Sequence, residues 1–178
     1  TLRVDDSGQL HAFNTDVIAI EEALSERVNL QGQSALVLGA GGVARAATAA
    51  LLRLGATVRV MNRTAARAEA LAASFEGPVE VVTAPGSVAA VVQCTSVGMS
   101  TGPDPKGCPV DPAMLPNQAV LLETVYEPAF TPLREAFTQA GGLSIGGLEM
   151  FRRQAAAQCR LWTGQEPGAE AMAVLDDS

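Results

Sequence analysis

The sequence predicts a doubly wound α/β fold, a mainly parallel sheet with helices on both faces. Three observations carry that expectation. Short apolar runs alternate with helical patterns: Ser34–Leu38 precedes an alanine-rich helix to Leu54, and Thr57–Met61 precedes a helix over 65–75. A glycine-rich turn sits at the first strand-to-helix junction, where tandem βα units need a tight connection. The third is composition: 178 residues, 48% hydrophobic with 4% aromatic, suit one alanine-, valine- and leucine-built core better than an all-β sandwich.

The elements follow in order. Residues 2–4 and 10–13 are extended runs flanking Asp5-Asp6-Ser7-Gly8, a polar, glycine-containing hairpin turn. A helix starts near Asn14. Val17, Ile20, Leu24 and Val28 form one buried stripe, and Glu21, Glu22 and Glu26 face elsewhere. Asn14 or Thr15 caps it, and Asp16 lies in the first turn, where the helix dipole favours a carboxylate. After the two βα units come strands at 79–82 and 88–94, and a Pro/Gly-rich loop over 100–116. A strand at 119–125, a helix at 131–140, a strand at Leu143–Ile145 and a helix over 147–162 complete the pattern. Residues 165–178 are weakly patterned and predicted to fray.

Charge and cysteine content exclude several function classes. A net charge of -7 with scattered arginines does not make a surface that tracks a nucleic-acid backbone. Cys94, Cys108 and Cys159 are odd in number and lack C-x-x-C spacing, so neither a disulfide framework nor a metal site is expected, and a reducing cytoplasm is. No apolar run approaches the ~20 residues that span a bilayer, so no membrane partner is expected.

Gly39-Ala40-Gly41-Gly42-Val43-Ala44 fits the G-x-G-x-x-A dinucleotide fingerprint, directly after a strand and opening a helix. The first glycine allows the turn, the second lets backbone approach a pyrophosphate, and the small third residue lets helix and strand pack. This is the Rossmann-like arrangement, with helix-start amides aimed at phosphate. At the end of the second strand an NAD enzyme commonly carries an acid for the ribose 2′-hydroxyl. Here stand Asn62, Arg63 and Thr64, with Arg67 one turn on. A guanidinium binds a 2′-phosphate that an acid would repel, so NADP is the expected cofactor.

Taken together with the glycine turn and Asn62-Arg63-Thr64, further segments resemble the shikimate and quinate dehydrogenase family. They are Asn14-Thr15-Asp16, Thr95-Ser96-Val97-Gly98-Met99, Val125-Tyr126-Glu127-Pro128 with Thr131, and Gly147-Leu148-Glu149-Met150 leading to Gln154-Ala155. Trp162-Thr163-Gly164 closes the series. The resemblance implies an NADP-dependent oxidoreductase that interconverts 3-dehydroshikimate and shikimate, in the cytoplasm, within chorismate and aromatic amino-acid biosynthesis. It implies Asp16 as the catalytic carboxylate, Tyr126 and Gln154 as contacts to a shikimate-like hydroxy acid, and Thr95, Ser96, Gly147 and Met150 as nicotinamide-side contacts. Ala12 stands where the family commonly has glycine, Val17 where it often has glycine or tryptophan, and Glu123 where aspartate is frequent, which leaves the preferred hydroxy acid open.

The family pairs that aspartate with a lysine on an amino-terminal substrate domain. Lys106, in a turn-rich loop, is the only lysine here and matches no catalytic segment. The resemblance therefore implies a division into residues 1–13, a hairpin at the edge of a substrate domain; residues 14–164, the NADP-binding domain; and the tail 165–178. The substrate domain is expected to be missing and the isolated chain inactive. A dehydratase–dehydrogenase fusion, a nonenzymatic quinate- or shikimate-responsive regulator, and another NADP-dependent Rossmann oxidoreductase are the alternatives.

Overall fold

The computed structural model describes residues 1–173. An antiparallel ribbon, β1 (Leu2–Val4) and β2 (Leu10–Ala12), opens the chain. The Asp5 carboxylate holds its turn, accepting from Ser7 N at 2.9 Å, Ser7 Oγ at 2.6 Å and Gln9 N at 3.0 Å. Helix α1 (Thr15–Ser25) follows, its first amides capped by Asn14 Oδ1, which accepts from Asp16 N and Val17 N. Val17, Ile20 and Leu24 are buried, as their spacing predicts.

Six strands form the main sheet: β3 (Ser34–Leu38), β4 (Thr57–Met61), β5 (Val79–Val81), β6 (Ala90–Gln93), β7 (Val120–Glu123) and β8 (Leu143–Ile145). All pair in parallel, in the order β5-β4-β3-β6-β7-β8. The helices are α2 (Gly42–Arg53), α3 (Ala65–Ala72), α4 (Pro132–Gln139), α5 (Gly147–Thr163) and the short α6 (Ala169–Ala173). The fold is thus the Rossmann-like doubly wound sheet expected.

Alternation along β3 shows how the layers are built. Ala35 and Val37 enter one core with α1, α2 and Met150 of α5, whereas Leu36 and Leu38 enter a second with Leu133 and Phe137 of α4. Because both faces are covered, β6 and β7 are buried at every position, which explains why they are apolar up to their last residues, Gln93 and Glu123. No helix among the described residues is long and apolar enough to cross a membrane.

Some boundaries differ from the expectation. β6 is shorter than the run 88–94 because β3 offers it ladder partners only from Ala35 to Leu38. α3 stops at Ala72, and its last amides close back onto Glu69 and Leu71 carbonyls. The segment expected to be weakly patterned holds α6, and 174–178 lie outside the described residues.

Winding reverses between β3 and β6, so the connections leaving their carboxyl ends go opposite ways and open a crevice. Gly39 occupies that point with φ +115°, and a Cβ there would sit 3.2 Å from the Cys94 carbonyl carbon and oxygen. A side chain is therefore excluded twice, by backbone conformation and by contact. Gly39→Ala is expected to lower the unfolding free energy by about 2 kcal/mol or more. Gly42→Ala, whose Cβ meets nothing within 4 Å, should change it by less than about 0.5 kcal/mol. Urea unfolding of the two variants checks the contrast; equal effects would contradict it.

Candidate functional site

The site begins at the glycine turn. Gly39 N donates to Met61 O at 2.9 Å, which ties the turn to the end of β4. Ala40 is half-buried, Gly41 is the N-cap of α2, and Gly42 opens the helix. No side chain caps α2, so its first amides face outward with the positive end of the helix dipole behind them. A Cβ on Gly41 or Gly42 would enter open space, whereas Ala44 is fully buried against the sheet. The turn is thus a bare backbone surface of the kind a pyrophosphate requires.

Directly beside it, Asn62 Nδ2 donates to Thr64 O at 2.9 Å and folds the residues after β4 into a tight turn. Arg63, Thr64 and Arg67 are exposed there. They flank the glycine turn from the β4 side and lie apart from the cleft between β6 and β7.

That cleft, about 260 Å³, is lined by Val43, Cys94, Thr95, Ser96, Met99 and the segment 124–127, among others. It gathers four expected site residues: Val43 from the helix start, Thr95 and Ser96 after β6, and Tyr126 after β7. A larger, open depression of about 410 Å³ around residues 25–30 lies at the far end of α1 and contains none of them. Burial, reinforced by the charges of Glu123 and Asp16, pushes the Cys94 thiol up, so Cys94 is a neutral wall residue.

Helix α5 starts against the segment that follows β7. A Cβ on Gly147 would run into the Val125 carbonyl and lie 2.8 Å from Tyr126 N, so only glycine lets the helix start there. Met150 is buried in the core, one turn on. Tyr126 is exposed at the rim and stacks on Phe151 at 5.6 Å between ring centroids. Thr15 Oγ1 donates to Gln154 Oε1 at 3.4 Å, and Gln158 Nε2 donates to the same oxygen at 3.0 Å. The Asp16 segment and the Gln154 face of α5 are thereby joined across 139 residues of chain. Lys106 is exposed in its loop.

Two residues that motif reading gave no role stand out. Gln93 and Glu123 end β6 and β7, are register partners, and are both fully buried. Gln93 binds the turn that carries Thr95 and Ser96. Glu123 accepts from Val125 N at 3.0 Å and from Thr131 Oγ1 at 2.7 Å, which fixes the segment carrying Tyr126. The available signal was a polar residue closing an otherwise apolar buried run, just ahead of a motif.

Comparison with known proteins follows from this geometry. The family model described as Shikimate / quinate 5-dehydrogenase matches residues 21–102, and that of the Shikimate 5'-dehydrogenase C-terminal domain matches residues 147–173. Shikimate dehydrogenase (NADP(+)) of Halobacterium salinarum is 39% identical over 175 residues, covering 95% of this chain and 65% of its own length. That of Methanocella arvoryzae is 36% identical, covering 94% and 64%. The chain thus spans slightly under two thirds of the curated relatives it matches. Among solved structures, shikimate 5-dehydrogenase of Thermus thermophilus, in complex with NADP(H) and shikimate, superposes with a TM-score of 0.81 at 33% identity, over 96% of this chain and 64% of that one. Quinate dehydrogenase of Corynebacterium glutamicum, in complex with NAD, gives 0.83 at 29% identity, over 98% and 66%.

Burial raises the Glu123 carboxyl to about 7 against the hydrogen bonds of Thr131 and Val125, which favour its ionised form. The folded value exceeds the usual 4.5, so the neutral form is favoured by folding. Its stabilising contribution is complete below pH 4.5 and is lost as pH rises through 7. Stability should fall by roughly 2.5 kcal/mol between pH 5 and 8 on this account, and Glu123→Gln should flatten the fall. Urea unfolding across that range tests it; parallel pH profiles for the two proteins would show that Glu123 does not titrate there.

Proposed function

The chain belongs to the shikimate/quinate 5-dehydrogenase family, and from that premise we propose that it is the cofactor-binding part of an NADP-dependent oxidoreductase interconverting shikimate and 3-dehydroshikimate. The observation that carries the reading is the bare glycine turn at the sheet's reversal point, tied by its first amide to the strand whose end bears Arg63. The names of the curated relatives support both substrate and cofactor. The reading includes a cytoplasmic setting, which three free thiols suit.

The residues present fit NADP. Gly41 and Gly42 leave a cradle that any Cβ would begin to fill, and the uncapped amides of α2 point into it. Arg63, with Thr64 and Arg67 beside it, supplies the positive charge and donors that a 2′-phosphate takes. Thr95 and Ser96 line the cleft that takes the nicotinamide half, and Gly147 and Met150 of α5 are assigned to the same half. When bound, the nicotinamide supplies the hydride acceptor for the alcohol and the hydride donor for the ketone.

The chain's own residues handle binding and the proton. Asp16 accepts the hydrogen bond of the reacting hydroxyl and stabilises the positive charge of a lysine beside it. Tyr126 and Gln154 hold the hydroxy acid, and the Thr15–Gln154 bond keeps the carboxylate and amide in step. The lysine belongs, in this proposal, to an amino-terminal substrate domain. The exposed apolar face of the β1–β2 ribbon, with Leu2, Val4 and Leu10 each about 60% exposed, suits such a neighbour.

Titration with NADPH and NADH tests the cofactor claim. NADPH is expected to bind more tightly, and Arg63→Ala to cost roughly 1.5–3 kcal/mol, mostly from NADPH. Gly42→Ala should keep the fold and weaken both nucleotides. Equal affinity of the parent chain for NADPH and NADH would overturn the 2′-phosphate assignment.

A further inference from the structure

Gln93 is the fully buried polar residue that ends β6, behind Ala90, Val91 and Val92. An amide in that position is tolerated only when its donors and acceptor are satisfied. All of its hydrogen bonds go to one place. Oε1 accepts from Thr95 N at 2.6 Å, and Nε2 donates to Thr95 O and Val97 O at 3.2 Å each. The orientation of the amide is unambiguous, because a backbone N–H must meet the oxygen and two carbonyls must meet the nitrogen.

These bonds shape the turn from inside. Thr95 Oγ1 accepts from Val97 N at 3.2 Å, so the turn is closed on its own side chain as well. On its outer side Thr95 Cγ2 would lie 3.2 Å from a Cβ on Gly39, which wedges it against the glycine turn. Thr95 and Ser96 face the cleft across from Val43 of α2. A small shift of this turn therefore changes the width of the cleft and leaves the β4 side, with Arg63, where it is.

We propose that Gln93 is a positioning residue for the nicotinamide half of the cofactor cleft, setting the Thr95–Ser96 backbone from behind. The inference rests on the cofactor reading above and deepens it: affinity for the two halves of the nucleotide is divided between two structural units. Asn62, Arg63, Thr64 and the glycine turn hold the adenosine 2′-phosphate half. Gln93 acts only through the Thr95–Val97 turn. A residue that merely filled core volume would not distinguish the halves.

Adenosine 2′,5′-bisphosphate, which lacks the nicotinamide half, makes the distinction measurable. The parent chain and Gln93→Leu are titrated with NADPH and with the bisphosphate, and thermal unfolding confirms that the variant is folded. Gln93→Leu is expected to bind NADPH about tenfold more weakly, from the loss of the bonds that order the turn, with the bisphosphate changed less than about twofold. Should the leucine variant not fold, Gln93→Glu keeps an acceptor for Thr95 N but sets an oxygen against the two carbonyls, and the same split is expected. Unchanged NADPH affinity, or an equal proportional loss on both ligands, overturns the positioning role. Failure of the parent chain to bind either ligand overturns the cofactor reading itself and the inference with it.

Discussion

The close approach of two strand ends at Gly39 is the constraint on which the rest of the site depends. β3 and β6 are neighbours whose following connections diverge, so their last residues must pass without a side chain between them. The positive φ of Gly39 turns the chain away from Cys94 and delivers Gly41 and Gly42 to the start of α2. Thr95, which lines the cleft, lies at the same close approach. A backbone turn that leaves the phosphate-facing amides bare, and a cleft beside it, are two consequences of one missing Cβ.

A different interaction brings the proposed substrate residues to that place. Asp16 and Gln154 belong to no strand; α1 and α5 carry them, packed on each other along the sheet. Arg153 holds Glu26 with both nitrogens, at 2.8 and 2.6 Å, and reaches Glu149 at 2.8 Å, while Arg160 holds Glu22 at 2.8 Å. Partly exposed ion pairs contribute little each, about 0–1 kcal/mol, whereas burying a side chain such as Ile20 or Leu24 contributes about 1.5–3 kcal/mol. Burial therefore holds the helix pair together, and the ion pairs fix its rotation. The Thr15–Gln154 hydrogen bond refines that rotation at the end where chemistry is expected.

What the sequence made legible follows the physics of each element. β3 reads as an apolar run because it is buried on both faces, and β4 alternates buried Val58 and Val60 with half-buried neighbours; both fall at the expected residues. The cap of α1, Asn14, was one of two residue types legible at that boundary, whereas Thr131, read as part of α4, is its N-cap. Strand ends were less legible, because the length of β6 is set by where β3 can pair with it and not by its own apolarity. On α5, Gly147, Met150 and Ala157 are buried, whereas Trp162 is 60% exposed. Periodicity places residues on common faces but does not say which face meets the sheet. The roles of Gln93 and Glu123 were hidden for a related reason, since their partners are backbone groups of loops that carry no signature in residue type.

An acidic protein that takes an anionic cofactor needs a local answer to a global charge. A net charge of -7 would repel a dinucleotide bearing a 2′-phosphate if it acted over the whole molecule. Screening reduces that repulsion, because charges beyond about 8 Å are largely masked at physiological ionic strength. Several acids are already engaged in ion pairs with Arg27, Arg153 and Arg160, among them Glu22, Glu26 and Glu149. On the proposed reading, a phosphate meets at close range the uncapped amino end of α2 and the exposed Arg63 and Arg67. Charge-assisted bonds from such groups outweigh the screened remainder. Cofactor choice in this fold is therefore decided over one strand end and one helix start, and the rest of the surface is free to be acidic.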